Sequence, residues 1–186
     1  PEMLPSTFAV HIEIFKKNGG SYESYVNFQV SPNSFGFGVL KDLNNDGKND
    51  LIMPHPQART IIIRYNTGDD NFFGDPVYFN TNKGPVSVAV ADFNGDTFMD
   101  IVYLTYPYAA GDVGLMLGTA TGQFIHSTIS VSTISNPFAL ATGDFNNDGY
   151  ADWVSTLNAG FGKANGTFNL VTVPLVAPEN IQTVAD

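Results

Sequence analysis

The sequence contains no cysteine and few basic residues, and these absences exclude several classes of protein. Without cysteine the chain has no disulfide bond, no cysteine-ligated zinc site and no catalytic thiol. Only 8 residues are Lys or Arg, against 18 Asp and Glu, and the basic residues form no cluster. Because nucleic-acid binding depends on clustered basic side chains, we expect no nucleic-acid partner.

The usual signs of catalysis and of membrane insertion are also absent. The HExxH, GxSxG and phosphate-loop motifs do not occur, and the histidines at His11, His55 and His126 are scattered along the chain. No run of 18 apolar residues is present, which predicts no membrane span in this segment. We therefore expect a protein that is not an enzyme.

The residues that are abundant are typical of an all-β domain rich in turns. The chain has 18 Gly, 11 Pro, 15 Phe and 8 Tyr in 186 residues, and only 14% of its residues are charged. A chain of this length can bury a substantial core. We expect the single tryptophan, Trp153, to belong to that core rather than to form a platform for stacking sugars.

Three loops share one pattern of oxygen-bearing side chains at positions 1, 3, 5 and 9. Hard oxygen ligands at alternate positions are typical of a calcium loop. The loops hold nine of the 18 acidic residues, so the repeated Asp pairs indicate metal loops rather than a glycosidase site. The sequence therefore predicts about three Ca²⁺ ions. The side-chain ligands would be Asp42, Asn44, Asp46 and Asp50 in the first loop, Asp92, Asn94, Asp96 and Asp100 in the second, and Asp144, Asn146, Asp148 and Asp152 in the third.

These loops differ from EF-hands. An EF-hand needs a bidentate Glu at position 12 and a helix on each side, whereas position 12 here is Met53, Tyr103 or Ser155 and the flanks are β-prone. Position 6 needs a sharp turn and is Gly in the first and third loops, but Thr97 in the second. We expect Thr97 to be strained and the second loop to be the weakest calcium site.

The loops also define a repeat, because they begin at Asp42, Asp92 and Asp144, 50 and then 52 residues apart. In the middle repeat, four short apolar segments at 86–91, 101–106, 113–117 and 124–131 read as strands. Four strands in about 50 residues match a propeller blade. We predict an all-β fold, a single partial β-propeller over 1–186 built of four-stranded antiparallel blades. Its parts would be a partial blade at 1–31, blades at about 32–84, 85–135 and 136–177, and the start of a further blade at 178–186.

The two ends of the sequence look like incomplete blades. Segments 8–15 and 22–30 match the third and fourth strands of a blade, and segment 182–186 matches 88–92. We expect that these residues alone do not close a ring. Exposed strand edges pair readily with other chains, so neighbouring copies are possible partners.

The segments Asp-Leu-Asn-Asn-Asp-Gly, Asp-Phe-Asn-Gly-Asp-Thr and Asp-Phe-Asn-Asn-Asp-Gly resemble FG-GAP repeats, also described as VCBS-type repeats. Such repeats occur in integrin α-subunit propellers and in many secreted proteins. The resemblance implies Ca²⁺ between the first and second strands of each blade, and it adds the backbone carbonyls of Lys48, Phe98 and Tyr150 as ligands. It also implies seven blades, which exceeds the number found here.

The function implied by this resemblance is that of a non-enzymatic, calcium-binding propeller segment, secreted or at the cell surface, that binds a protein or a glycan. One alternative is a lectin or the accessory propeller of a polysaccharide lyase. Another is a structural subunit of an extracellular filament or sheath. The segment at 103–108, rich in Tyr and Pro, is a candidate contact loop.

Overall fold

The computed structural model describes residues 10–30, 38–69, 72–106, 112–129, 140–155 and 158–172, and these residues form fourteen β-strands. A hairpin contains β1 (Val10–Asn18) and β2 (Ser21–Val30). The first sheet contains β3 (Val39–Lys41), β4 (Asp50–His55), β5 (Thr60–Arg64) and β6 (Val77–Asn80). The second contains β7 (Gly84–Ala91), β8 (Asp100–Tyr106), β9 (Val113–Gly118) and β10 (Phe124–Ile129). The third contains β11 (Leu140–Gly143), β12 (Asp152–Ser155), β13 (Asn158–Gly162) and β14 (Phe168–Thr172).

Each four-stranded sheet is an antiparallel meander in chain order. This arrangement confirms the predicted all-β fold of four-stranded blades, and the observed strands of the second sheet overlap all four predicted segments. Within the described ranges no helix is long and apolar enough to cross a membrane.

The hairpin of β1 and β2 occupies the region predicted as a partial blade. Its strands pair antiparallel from Val10 with Val30 to Asn18 with Ser21, with a register shift between Ile14 and Phe15. The predicted further blade at 178–186 lies outside the described residues. The same holds for residues 107–111, which include the last two residues of the candidate contact loop at 103–108.

The hydrophobic core lies between neighbouring sheets. One cluster joins Ile52, Ile61 and Ile63 of the first sheet to Val88 and Ile101 of the second. A second cluster joins the other face of the second sheet to the third, in which Trp153 is completely buried. The second sheet is therefore covered on both faces, which explains why β7, β8 and β9 are apolar along most of their length.

The prediction that Trp153 belongs to the core is confirmed, and the strand beside it explains how the ring fits. Trp153 pairs across the sheet with Gly160, and a Cβ atom at Gly160 would collide with the indole ring. The ring also meets Phe168 edge to face, with 6.1 Å between centroids. Glycine on β13 thus creates the space that the largest side chain of the core requires.

Candidate metal sites

The three Asp-rich loops occupy the same place in their sheets, between the first and the second strand. They connect β3 to β4, β7 to β8 and β11 to β12. Because each loop is held at both ends by paired strands, the three loops can adopt one backbone conformation despite differences in sequence. The geometry of each position is therefore comparable between sheets.

The carboxylate at position 1 closes each loop. In the first loop, the Asp46 N–H donates to Asp42 Oδ1 at 3.0 Å and the Gly47 N–H donates to Asp42 Oδ2 at 2.8 Å. The same two bonds form in the second loop at 3.2 and 2.8 Å and in the third at 3.1 and 2.9 Å. Position 1 thus organises the turn through positions 5 and 6.

Positions 3 and 5 are joined to each other. In the first loop, the Asp46 N–H donates to Asn44 Oδ1, and Asn44 Nδ2 donates to Asp46 Oδ2. Asp46 Oδ1 in turn accepts the N–H of Lys48 at position 7. The corresponding bonds recur in the other two loops. The structure therefore brings the predicted ligands at positions 1, 3 and 5 together in every loop.

The carboxylate at position 9 is completely buried in each sheet and has a different task. Asp100 Oδ2 accepts the N–H of Phe93 in its own loop, and Asp100 Oδ1 accepts the N–H of Gly118 at the end of the third strand, both at 2.8 Å. Asp152 makes the same pair of bonds, and Asp50 bonds to Leu43 of its own loop and to Asn66, two residues beyond the end of β5. Position 9 therefore fastens the loop to the third strand.

Two positions in each loop have left-handed backbone dihedrals. Position 6 has φ of 84° at Gly47, 75° at Thr97 and 90° at Gly149, so the predicted strain at Thr97 is present. Position 4 is left-handed as well, with φ of 60° at Asn45 and 76° at Gly95. Position 4 was not predicted, although Asn and Gly are the residues most tolerant of this conformation and recur there in all three loops.

Burial and crowding of carboxylates disturb the ionisation of two of these groups. Burial raises the pKa of Asp100 to about 6. The hydrogen bonds from two backbone N–H groups lower this pKa, and the negative charges of Asp96 and Asp92 raise it further. Burial likewise raises the pKa of Asp50. By contrast, the N–H of Lys48 lowers the pKa of Asp46. Negative charge is therefore accumulated in the loops at an electrostatic cost, which a cation would relieve.

The oxygen-rich donor set fits a hard divalent cation. Positions 1, 3, 5 and 9 of each loop offer carboxylate and amide oxygens and no sulfur or imidazole, as calcium prefers. An ionised carboxylate has about four acceptor sites, so lone pairs remain for a cation even at Asp92, whose two oxygens accept three backbone N–H groups. Among the described residues, however, no three Asp, Glu, His or Cys side chains converge closely enough to hold a metal ion together. The predicted ligand set, including the carbonyls at position 7, therefore remains a prediction.

The first and second loops also contact each other directly. The side-chain Nδ2 of Asn45 donates to the carbonyl oxygen of Thr97 at 3.0 Å. This bond joins position 4 of one loop to position 6 of the next, across two different sheets. No feature of the repeat in the sequence indicated this contact, because repeat patterns describe single blades rather than their junctions.

Comparison with known protein families agrees with this architecture. A family model described as an FG-GAP-like repeat matches the chain twice, over residues 42–103 and 100–155. The first match contains the first and second Asp-rich loops, and the second match contains the third loop with β11 and β12 on either side of it. Among curated proteins, none matches this chain.

Proposed function

Because the chain belongs to the FG-GAP-like repeat family, we propose that it is a calcium-stabilised β-propeller segment that recognises a glycan or a protein outside the cell. The coarser part of this statement, an interaction module with propeller-like blades, follows from the family and the three sheets. The calcium, the location and the absence of catalysis are our proposal.

One observation carries the calcium proposal, namely that three loops of different sequence repeat one arrangement of carboxylates. The bond from position 7 to position 5 is 2.9 Å in all three loops. Such regularity is unnecessary for a simple surface turn, which needs only one or two Asp or Asn residues. This regularity is expected where each loop presents equivalent oxygen atoms to its own ion of the same kind.

The chain's own residues would hold the ion through positions 1, 3, 5 and 9 and the carbonyl at position 7, and the ion would neutralise crowded carboxylates. Within the loops, the only basic side chain is Lys48, whose Nζ lies 3.3 Å from Asp46 Oδ2. The second and third loops have Phe98 and Tyr150 at that position. These two loops therefore depend more on a bound cation for charge compensation.

The proposed extracellular location follows from the type of site. Extracellular calcium modules bind at roughly 10⁻⁴ to 10⁻³ M, a range that suits millimolar calcium outside cells. We place these loops in this weaker range because their side chains are mainly exposed and they lack the bidentate Glu of an EF-hand. We accordingly propose a secreted or surface-exposed protein whose blades are rigid only where calcium is plentiful.

Calorimetric titration of the metal-free chain with Ca²⁺ tests the proposal, with thermal unfolding in excess Ca²⁺ and in EDTA as a second readout. An ion present at 100 times its Kd adds about 2.7 kcal/mol to the free energy of unfolding. The expected result is several binding events and a clearly higher Tm in calcium. The matched control is the variant with Asp42→Asn, Asp92→Asn and Asp144→Asn, which should lose most of that difference. Equal Tm values in calcium and EDTA contradict the proposal.

A further inference from the structure

A cleft of about 290 Å³ opens between the first and second sheets, on the side of the metal loops. The first sheet contributes Asn44, Asn45 and Tyr65, and the second contributes Phe98, Gln123 and Phe124. Gln123 belongs to the turn between β9 and β10, while Asn44 and Asn45 belong to the first metal loop. A volume near 300 Å³ is at the lower end for small-molecule sites.

The turn that borders this cleft differs from the equivalent turn between the second and third sheets. There the turn before β14 lies against the second metal loop, and a Cβ atom at Gly166 would stand 3.0 Å from Asn94 Cβ and 3.8 Å from Leu117 Cδ2. At the corresponding Gly122, a Cβ atom would meet nothing within 4 Å. Gly166 is buried and Gly122 is exposed. The turn at Gly166 thus packs against the neighbouring sheet, whereas the turn at Gly122 leaves space beside the first sheet.

The chemistry of the cleft is that of rings and uncharged polar groups. Three aromatic side chains line it, and each is partly exposed rather than buried. Asn44, Asn45 and Gln123 supply amides, and Thr119 supplies a hydroxyl. Among the described residues, the amide of Gln123 and the hydroxyl of Tyr65 make no side-chain hydrogen bond, so they are available to a ligand. In the described part of the chain, no charged side chain lines the cleft.

We propose that this cleft binds a neutral glycan, with sugar faces against the aromatic rings and sugar hydroxyls bonded to the amides. Apolar rings with a few placed polar groups are the usual composition of a small-ligand site. A sugar matches this composition, because its ring face can lie against an aromatic side chain and its hydroxyl groups can bond to amides. The chain carries 18 acidic against 8 basic residues, so acidic saccharides are repelled. This inference rests on the proposed function and names the ligand class of that interaction module.

Calcium should influence this site, because two of the lining amides belong to the first metal loop. Asn44 is at position 3, and its Oδ1 accepts the Asp46 N–H at 3.1 Å. Asn45 is fixed by its bond to Thr97. An ion that orders the loop also orders these amides, and preorganised groups bind more tightly because less conformational entropy is lost. Sugar binding is therefore expected to be tighter in calcium than in EDTA.

The test is saturation-transfer NMR on the full chain, with the methyl glycosides of glucose, galactose, mannose and N-acetylglucosamine as probes and galacturonate as the acidic comparison. We expect transfer to at least one neutral glycoside and none to galacturonate. Gln123→Ala should weaken that affinity about fivefold, as the loss of one hydrogen bond predicts. The control His126→Ala changes an exposed residue on the adjoining β10, outside the cleft, and should have no effect.

The possible outcomes separate this inference from the proposed function. No transfer to any neutral glycoside overturns the inference, and so does binding that Gln123→Ala leaves unchanged or binding of galacturonate alone. Calcium binding without sugar binding would leave the proposed function intact. Equal sugar binding in calcium and EDTA would support the cleft as a glycan site and contradict the role of calcium. Tyr65→Phe provides a second variant that removes only a hydroxyl group and preserves the packing.

Discussion

Asn45 and Thr97 are joined by a hydrogen bond of 3.0 Å between the side-chain Nδ2 of the first and the carbonyl oxygen of the second. Both residues have left-handed φ angles, 60° and 75°. The bond holds the Thr97 carbonyl toward the first sheet. The N–H of Phe98, which belongs to the same peptide plane as that carbonyl, donates to Asp96 Oδ1 at 2.9 Å. One side chain of the first loop therefore fixes a peptide plane in the second.

Removing this bond should weaken calcium binding at the second loop. Asn45→Gly keeps the left-handed backbone accessible and deletes only the amide. An exposed neutral hydrogen bond contributes about 0.5–1 kcal/mol, which corresponds to an affinity loss of about two- to fivefold. The measurement is an NMR titration with Ca²⁺ that follows the Gly95 and Asp96 amides.

The matched control for this prediction is Asn147→Gly. Asn147 occupies position 4 of the third loop with φ of 58°, and its side chain donates to no other loop among the described residues. This variant should leave the second loop unchanged. A loss of affinity at the second loop of equal size in both variants would show that the Asn45 bond does not couple the loops.

Thr97→Gly should tighten the second site. The φ of 75° at Thr97 is one that a β-branched residue adopts at a cost of about 1–2 kcal/mol, and glycine adopts it freely. If calcium requires this conformation, the affinity of the second loop rises by up to about tenfold. Site-resolved Ca²⁺ titration measures the change, with the third loop as internal reference. An unchanged second-site affinity would mean that the backbone strain at Thr97 does not oppose binding.

The repeat could be predicted from the sequence because its signals are local. The spacing of Asp42, Asp92 and Asp144 and the β-prone flanks defined the blades, and the burial of Trp153 followed from its apolar segment. The second task of position 9 could not be predicted in this way, because Asp50, Asp100 and Asp152 reach donors 16, 18 and 10 residues further along the chain. Neither could the Asn45–Thr97 contact or the cleft, which depend on how two sheets pack.

In the metal-free protein, the contribution of Asp100 to the free energy of unfolding should increase as the pH falls from 7 toward 4.5. The pKa of Asp100 is raised by burial from 3.8 to about 6, so between these values the folded state holds a proton that the unfolded state has released. Stability therefore decreases as pH rises through this window. Carboxyl ¹³C NMR on the chain freed of metal by a chelating resin should show a midpoint near 6.

Bound calcium should abolish this behaviour, because the cation favours the ionised carboxylate. The expected result is a lower Asp100 midpoint and no gain in Tm on acidification across the same window. Asp46, whose pKa is lowered by the N–H of Lys48, serves as an internal comparison that titrates below 3.8. A metal-free Asp100 midpoint at 3.8 would contradict the effect of burial.

The fit between Trp153 and Gly160 predicts that Gly160→Ala destabilises the third sheet. The added methyl group would collide with the indole ring, and Trp153 cannot retreat because it is fully buried in a core cluster with Phe93 and meets the Phe168 ring edge to face. Overpacking of this kind costs about 1–3 kcal/mol, which denaturant unfolding in excess calcium measures. The control is Gly20→Ala in the β1–β2 hairpin, where a Cβ atom meets nothing within 4 Å and φ is not positive. The packing argument fails if both variants unfold at the same denaturant concentration, since alanine would then be accommodated beside the tryptophan as easily as in open space.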